Sequence, residues 1–227
     1  NKVYKLRNIN IIPDHNAAVA KNHADYLKGF DSVEYKGLNV LFMGKQPKVR
    51  PQVLHGAIKL RPNDIYNYSQ VNNTYSNLMA MGYFKSARID FKEVVNKPQQ
   101  GIPSKPRTGL LDCDIQCTPA LQQSIKAELE AATTSSFYGL TALVGYQNRN
   151  IFRGAEMLEI TGTAGYEYMK APNSKKRHAM EFGLAVGLSL PRFLLANYML
   201  SERILVPKTK FEISYNYQDR PYYQRGL

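Results

Sequence analysis

The chain has 227 residues, enough for one large domain or two small ones. Thirty Lys and Arg against eighteen Asp and Glu give a net charge of +12, with 44% apolar residues and a mean hydropathy of −0.40. That balance excludes a disordered chain, and no stretch approaches the roughly 20 apolar residues that a membrane-spanning helix needs.

Sixteen Tyr and nine Phe with no Trp make a β-prone composition. A membrane β-barrel stays open, because its spans are short and only half apolar. Val3 to Ile12 reads as a strand, ended by Pro13-Asp14. Residues 14–36 are polar and without a clear period, and Gly37 to Phe42 is a second short strand. Pro51 suits the first position of a short helix to Ala57, and Leu60 to Asp64 is a turn. Tyr68 to Met81 is predicted as a helix with Val71, Tyr75, Leu78 and Met79 on one side, stopped by Gly82. Tyr83 to Val95 and Leu110 to Cys117 follow as strands. Asn96 to Thr108, with three prolines and one glycine, is predicted as a mobile connection. The order strand, helix, helix, strand, strand, with an insertion after the first strand, gives a small α+β module with helices on one sheet face.

From about Leu121 the period becomes two and stays there. Ile125, Ala127, Leu129 and Ala131 alternate with Lys126, Glu128 and Glu130. The pattern recurs over Tyr138 to Tyr146, Leu158 to Tyr168, Met180 to Leu190 and Phe211 to Tyr217, about five strands in all. A soluble β-sandwich alternates too. Three features favour a transmembrane barrel. Spans of roughly 10 to 13 residues exceed the usual five or six, the opposite face is Gly, Ser, Thr and Glu, and tyrosines gather near strand ends.

Cys113 and Cys117, if extended, lie about 13 Å apart, beyond the ~7 Å between Cα atoms that a disulfide tolerates. Their spacing does not fit a zinc site either, and His15, His23, His55 and His178 form no HExxH pair. No metal and no cofactor are expected. GxSxG, P-loop and dinucleotide motifs are absent, so the chain is not expected to be an enzyme. The basic residues spread along both halves without an RNP-like or Cys/His signature, which leaves only nonspecific attraction for nucleic acid.

Several strings carry a resemblance. Ile58-Lys-Leu-Arg-Pro-Asn-Asp-Ile-Tyr-Asn67, then Thr74 and Leu78, then Met81-Gly-Tyr-Phe-Lys85 and Ala87-Arg-Ile-Asp-Phe91, together resemble a POTRA domain. POTRA domains are the periplasmic modules of BamA/TamA-like outer-membrane assembly factors. Ser135-Ser-Phe-Tyr-Gly139 and Gly145-Tyr-Gln-Asn-Arg-Asn-Ile-Phe-Arg-Gly-Ala-Glu156 look like early barrel strands and their turn in the same superfamily. Pro191-Arg192-Phe193 and Arg220-Pro-Tyr-Tyr-Gln-Arg225 are similar to strings of its Bacteroidetes branch.

The resemblance implies two domains. Residues 1–118 would be a POTRA-like periplasmic domain (β-α-α-β-β) with an insertion at about 14–50. Residues 119–227 would be the first strands of an outer-membrane β-barrel. Family members carry several POTRA domains and a larger closed barrel, so this chain is expected to be an internal piece of a longer protein. An open sheet in lipid leaves backbone groups unsatisfied at several kcal/mol each, which points the same way.

The implied function is capture of unfolded β-barrel clients by strand addition and their insertion into the outer membrane. A two-partner secretion pore for one dedicated substrate, built of the same modules, is the alternative. Expected partners are unfolded outer-membrane proteins, accessory periplasmic or lipoprotein subunits, and outer-membrane lipid or lipopolysaccharide. The client edge would be the first barrel strand at Lys126, Ala127, Glu128 and Leu129, unless this is an ordinary structural strand. In the small module the candidate edges are residues 3–12 and 85–94.

Asn148, Arg149, Asn150, Phe152, Arg153 and Gly154 would form a periplasmic turn. Its guanidiniums either meet phosphates or carboxylates or simply brace the turn. Lys170, Lys175, Lys176 and Arg177 would line a loop facing lipopolysaccharide, or merely a solvated loop. Gly82, Tyr83 and Phe84 are expected to be structural, as a helix stop and a core plug.

Overall fold

The computed structural model describes residues 3–16, 29–94, 108–170, 178–191, 208–220 and 223–226. The predicted connection at 96–108, apart from Thr108, and residues 17–28 of the predicted insertion lie outside these. The chain forms two compact units. The first holds residues 1–120, 152–155 and 191–208, and the second holds 121–151, 156–190 and 209–227.

In the first unit β1 (Val3–Ile12), β2 (Asp31–Tyr35), β3 (Leu38–Phe42), β4 (Phe84–Glu93) and β5 (Thr108–Pro119) form one sheet in the order β2-β3-β1-β5-β4. Helices α1 (Pro51–Ala57) and α2 (Tyr68–Ala80) lie between β3 and β4 in sequence. β1 runs parallel to both β3 and β5, whereas β2 and β4 are antiparallel to their neighbours. The module is therefore β-α-α-β-β with a β2–β3 hairpin inserted after β1.

Two strand assignments change. Asp31-Ser-Val-Glu-Tyr35 is a strand although it lies in the stretch without a period. It is an edge strand whose first four residues are all exposed, so no apolar face is required of it. β1 is not an edge, because it sits between β3 and β5. Among the described residues, the free edges of this sheet are β2 and β4.

Leu6 and Ile9 both point into the core, three positions apart, which a regular strand forbids. The register against β5 shifts between them, a β-bulge at Arg7-Asn8. Asp112 fills it: the Arg7 Nε donates to its Oδ1 at 2.9 Å and the Asn8 N–H donates at 3.3 Å. The guanidinium holds the Asp112 carboxyl below the usual carboxylate range.

α1 begins with Pro51 at its first turn. α2 is capped by Asn67, whose side chain accepts from the Ser69 N–H at 2.9 Å. The buried residues of α2 are Thr74, Asn77 and Leu78, while Tyr75, predicted inward, is 44% exposed. The polar pair is buried because it completes α1. Asn77 Nδ2 donates to the Ala57 carbonyl at 3.1 Å, and Thr74 Oγ1 accepts from the Lys59 N–H at 3.0 Å. The Ala57 carbonyl is one of those that the C-terminal end of a helix leaves without a partner, and the Lys59 N–H belongs to the chain just beyond it.

Gly82 follows the last turn of α2 at φ +73, with its N–H donating to the Met79 carbonyl at 3.2 Å. No atom crowds the position, so only the backbone conformation demands glycine. Gly82→Ala is expected to destabilise the unit by about 1–2 kcal/mol, and Gly82→Asn by less, as measured by urea unfolding.

Tyr83 and Phe84 are buried and meet edge to face at 5.0 Å. They join Leu6, Ile11, Leu54, Ile58, Leu78 and Ile115 in one core. Cys113 and Cys117, on the same inner face of β5, are free thiols, and burial pushes both up to about 12.

The second unit is a six-stranded antiparallel sheet in the order β11-β10-β9-β8-β7-β6. Its strands are β6 (Gln123–Thr133), β7 (Phe137–Arg149), β8 (Met157–Met169), β9 (His178–Leu190), β10 (Thr209–Arg220) and β11 (Tyr223–Gly226). The five predicted strands all form, and β11 adds a short sixth.

Candidate functional site

Register turns the alternating pattern into two chemically opposed faces. Ile125, Tyr146, Ile160, Val186 and Ile213 lie side by side across β6 to β10, and Ala127, Val144, Gly162, Leu184 and Tyr215 form the next row. Leu129, Ala142, Ala164, Phe182 and Tyr217 make a third. These side chains are uncovered: Ile125 is 77% exposed, Ile213 80% and Phe182 51%. An aligned apolar surface of this extent is incompatible with water, since each large side chain forgoes about 1.5–3 kcal/mol of burial.

The opposite face is polar and thin. One row is Ser124, Gln147, Glu159, Gly187 and Glu212, and another is Glu130, Thr141, Gly165, Glu181 and Gln218. Gln147 Nε2 donates to Glu159 Oε1 at 2.7 Å, and Gln218 Nε2 to Glu181 Oε2 at 3.0 Å. In the row between Thr163 and Asn216, a Cβ added at Gly183 would come within 2.4 Å of Thr163 Oγ1, so a larger side chain there would displace that hydroxyl. Tyr138, Tyr166 and Tyr168 gather at one end of the apolar face, as an aromatic belt requires. Tyr215, in contrast, sits in the middle row.

β6 pairs with β7 and has no second neighbour among the described residues. Lys126, Ala127, Glu128 and Leu129 sit at its centre, with Lys126 Nζ 2.6 Å from Glu128 Oε1 on the polar face. Every second backbone N–H and C=O of this strand is aimed outward, the arrangement that accepts an added strand.

The turn after β7 is tightly braced. Arg149 Nη1 donates to the Leu121 carbonyl at 3.0 Å, and its N–H to the Gln122 carbonyl at 2.7 Å. Asn150, Arg153 and Ala155 all take positive φ, and the Asn150 N–H donates to the Glu156 carbonyl. Phe152, Arg153 and Gly154 belong to the first unit. There Arg153 Nη1 donates to Gln46 Oε1 and Nη2 to the Pro47 carbonyl, both at 2.7 Å. Both guanidiniums thus meet amide and carbonyl oxygens rather than carboxylates.

Lys170 is likewise engaged. Its ammonium donates to the Thr134 carbonyl at 2.6 Å and lies 3.9 Å from the centre of the Tyr138 ring. Lys175, Lys176 and Arg177 lie outside the described residues. Among those described, no group of His, Cys, Asp and Glu is placed to hold a metal ion, and no helix is long and apolar enough to cross a membrane, which says nothing of crossing by strands.

Residues 35–102 match the family model described as POTRA, surface antigen variable number repeat. The matched segment takes in β3, both helices and β4, and leaves β1 and β5 outside. No curated protein matches the chain. Among solved structures, CdiB from Acinetobacter baumannii aligns at 9% identity and a TM-score of 0.39, over 100% of this chain and 57% of that one. BamA from Haemophilus ducreyi lacking POTRA domains 1–3 aligns at 10% identity and a TM-score of 0.31, over 96% and 52%. The chain thus spans a little over half the length of each.

Proposed function

We propose that this chain is the junction between a periplasmic POTRA-like module and the leading strands of an outer-membrane β-barrel that assembles or transports polypeptides. The observation that carries this reading is the pairing of a POTRA match in the first unit with a sheet whose bare apolar face is backed by Glu, Gly and Thr. Hydrocarbon is the solvent that suits the first face and water the second. Strands of 11 to 13 residues in β6 to β10 are long enough for a tilted crossing.

In this reading the role is insertion of unfolded barrel proteins, with β6 as the capturing strand and β4 as the exposed edge in the periplasm. Backbone pairing is indifferent to most side chains, which suits many clients. Lys170, Lys175, Lys176 and Arg177 would face lipopolysaccharide, with the Lys170 ammonium also bracing the strand ends. The turn from Asn148 to Gly154 would lie in the periplasm, near accessory subunits. No cofactor and no catalytic residue is needed, because pairing and partition supply the free energy. A member of the Bacteroidetes branch fits the strings at 191–193 and 220–225.

Prolines at Ala127 and at Glu128, placed separately in the full-length protein, test the edge. Their N–H groups point to opposite sides of the strand, so one variant removes an outward donor and the other a bond to β7. The expected result is that the outward variant reaches normal levels in the membrane yet loses most client insertion. Normal insertion by that variant would remove β6 from the mechanism. Recovery of a single secreted substrate, rather than many barrel proteins, by cross-linking at Leu129 would favour the secretion pore.

A further inference from the structure

A basic surface of the first unit has no role in that reading. Gly37, at φ +79, lets the β2–β3 turn lie against the chain between the helices, so close that a Cβ there would meet the Pro62 ring at 2.8 Å. This contact brings Lys36 to the end of α1. The Tyr35 ring meets His55 edge-on at 5.5 Å, and Lys36 Nζ lies 5.7 Å from the Tyr35 ring. Arg61 is pinned beside them, donating to the carbonyls of Ile58, Leu60 and His55 at 2.7, 2.8 and 3.2 Å. Lys59 is fixed at its backbone by Thr74.

Elsewhere in the unit Arg7, Lys48, Arg88 and Lys92 each face a carboxylate, those of Asp112, Asp14, Asp90 and Asp114. Lys36, Lys59 and Arg61 form no ion pair with any described residue. Asp64 attracts Arg61 only from beyond ion-pair distance. Carbonyl oxygens orient the guanidinium without neutralising it. Burial, then Arg61, Lys36 and Lys59, hold His55 below the ordinary imidazole range, and burial, then Arg61, hold Lys59 below the usual ammonium range. Positive charge is concentrated here with no ion pair among the described residues to balance it, which an arriving anion relieves.

We infer that Lys36, His55, Lys59 and Arg61 form a binding site for a phosphate-bearing anion, either free phosphate or the headgroup of a phosphorylated lipid. A phosphate carries about −1.5 to −2 charges and three acceptor oxygens, enough to engage a fixed guanidinium, two mobile ammoniums and an imidazole together. A single carboxylate would satisfy little more than the guanidinium.

The test uses the detergent-solubilised chain with inorganic phosphate, glycerol 1-phosphate and tetraglutamate, each titrated calorimetrically and against the His55 ring signal. At least one phosphate compound is expected to bind and shift His55, and which of the two binds tells free phosphate from a headgroup. Lys36→Gln with Lys59→Gln is expected to weaken binding about tenfold or more, the loss of one charge-assisted contact or more. Lys85→Gln, which removes one charge from exposed β4, is expected to change it less than twofold. Arg61 is left intact because it braces the backbone. Three results overturn the proposal: neither phosphate binds, Lys85→Gln weakens binding as much as the double variant, or tetraglutamate binds as tightly as phosphate.

Discussion

Replacing Leu184 with arginine in the full-length protein is expected to cost about 2–4 kcal/mol of folding free energy in lipid vesicles, measured by urea titration. Leu184 lies in the middle apolar row, beside Val144 and Tyr215 across Gly162, so its side chain would sit near the bilayer midplane. There a guanidinium can reach neither interface nor a partner. Ala185, one residue on, points to the polar face in the row of Lys126, Thr161 and Ser214. Arginine there meets water and is expected to cost less than about 1 kcal/mol. Equal costs at the two positions would falsify the assignment of the bare face to hydrocarbon. In water Leu184 is already 45% exposed, so a charge there would change little.

Ile115→Ala in the first unit is expected to remove about 2–5 kcal/mol. Ile115 is wholly buried in β5, directly between Ile11 of β1 and Ile89 of β4. Neighbours on both strands are held by their own ladders, so the vacated volume cannot collapse and the cavity term is added in full. Set against a typical domain stability of about 5–15 kcal/mol, this is a large fraction. Ile115→Val keeps most of the volume and is expected to cost about 0.5–1.5 kcal/mol. Urea unfolding followed by far-ultraviolet circular dichroism reads both. A loss below 1 kcal/mol for the alanine variant would mean that β5 does not pack as described.

Much of this architecture is legible in the residues because packing leaves a period. Met180 to Leu190 alternates without a break, and β9 occupies that stretch. Pro51 and Gly82 mark helix limits through φ alone, before any tertiary contact is considered. Other features leave no local trace. Asp31-Ser-Val-Glu-Tyr35 is a strand because β3 offers an edge, and nothing in its own composition requires it. Thr74 and Asn77 look like surface residues of α2, yet they are buried to serve the carbonyl and N–H at the end of α1. Lys170 looks like a loop cation, but its ammonium is spent on Thr134 and Tyr138. The bulge at Arg7-Asn8 is hinted at by Leu6 and Ile9 falling three apart, a signal that period counting reads as noise. The pairing order, and hence which edge is free, depends on strands far apart in sequence. The basic site is missed for the same reason, since only the fold of the β2–β3 turn carries Lys36 to His55.

The position of β1 bears on how the protein is made. Its bulge partner Asp112 lies 105 residues further along, and its remaining neighbour β3 reaches only Ile9 to Ile11. At a synthesis rate of about 5–20 residues per second, the opening strand of this sheet waits several seconds or more for its longer partner. Leu6 and Ile12, outside the reach of β3, have no partner strand throughout that wait. A holding chaperone that shields this stretch would therefore raise the yield more than one acting after β5 has emerged.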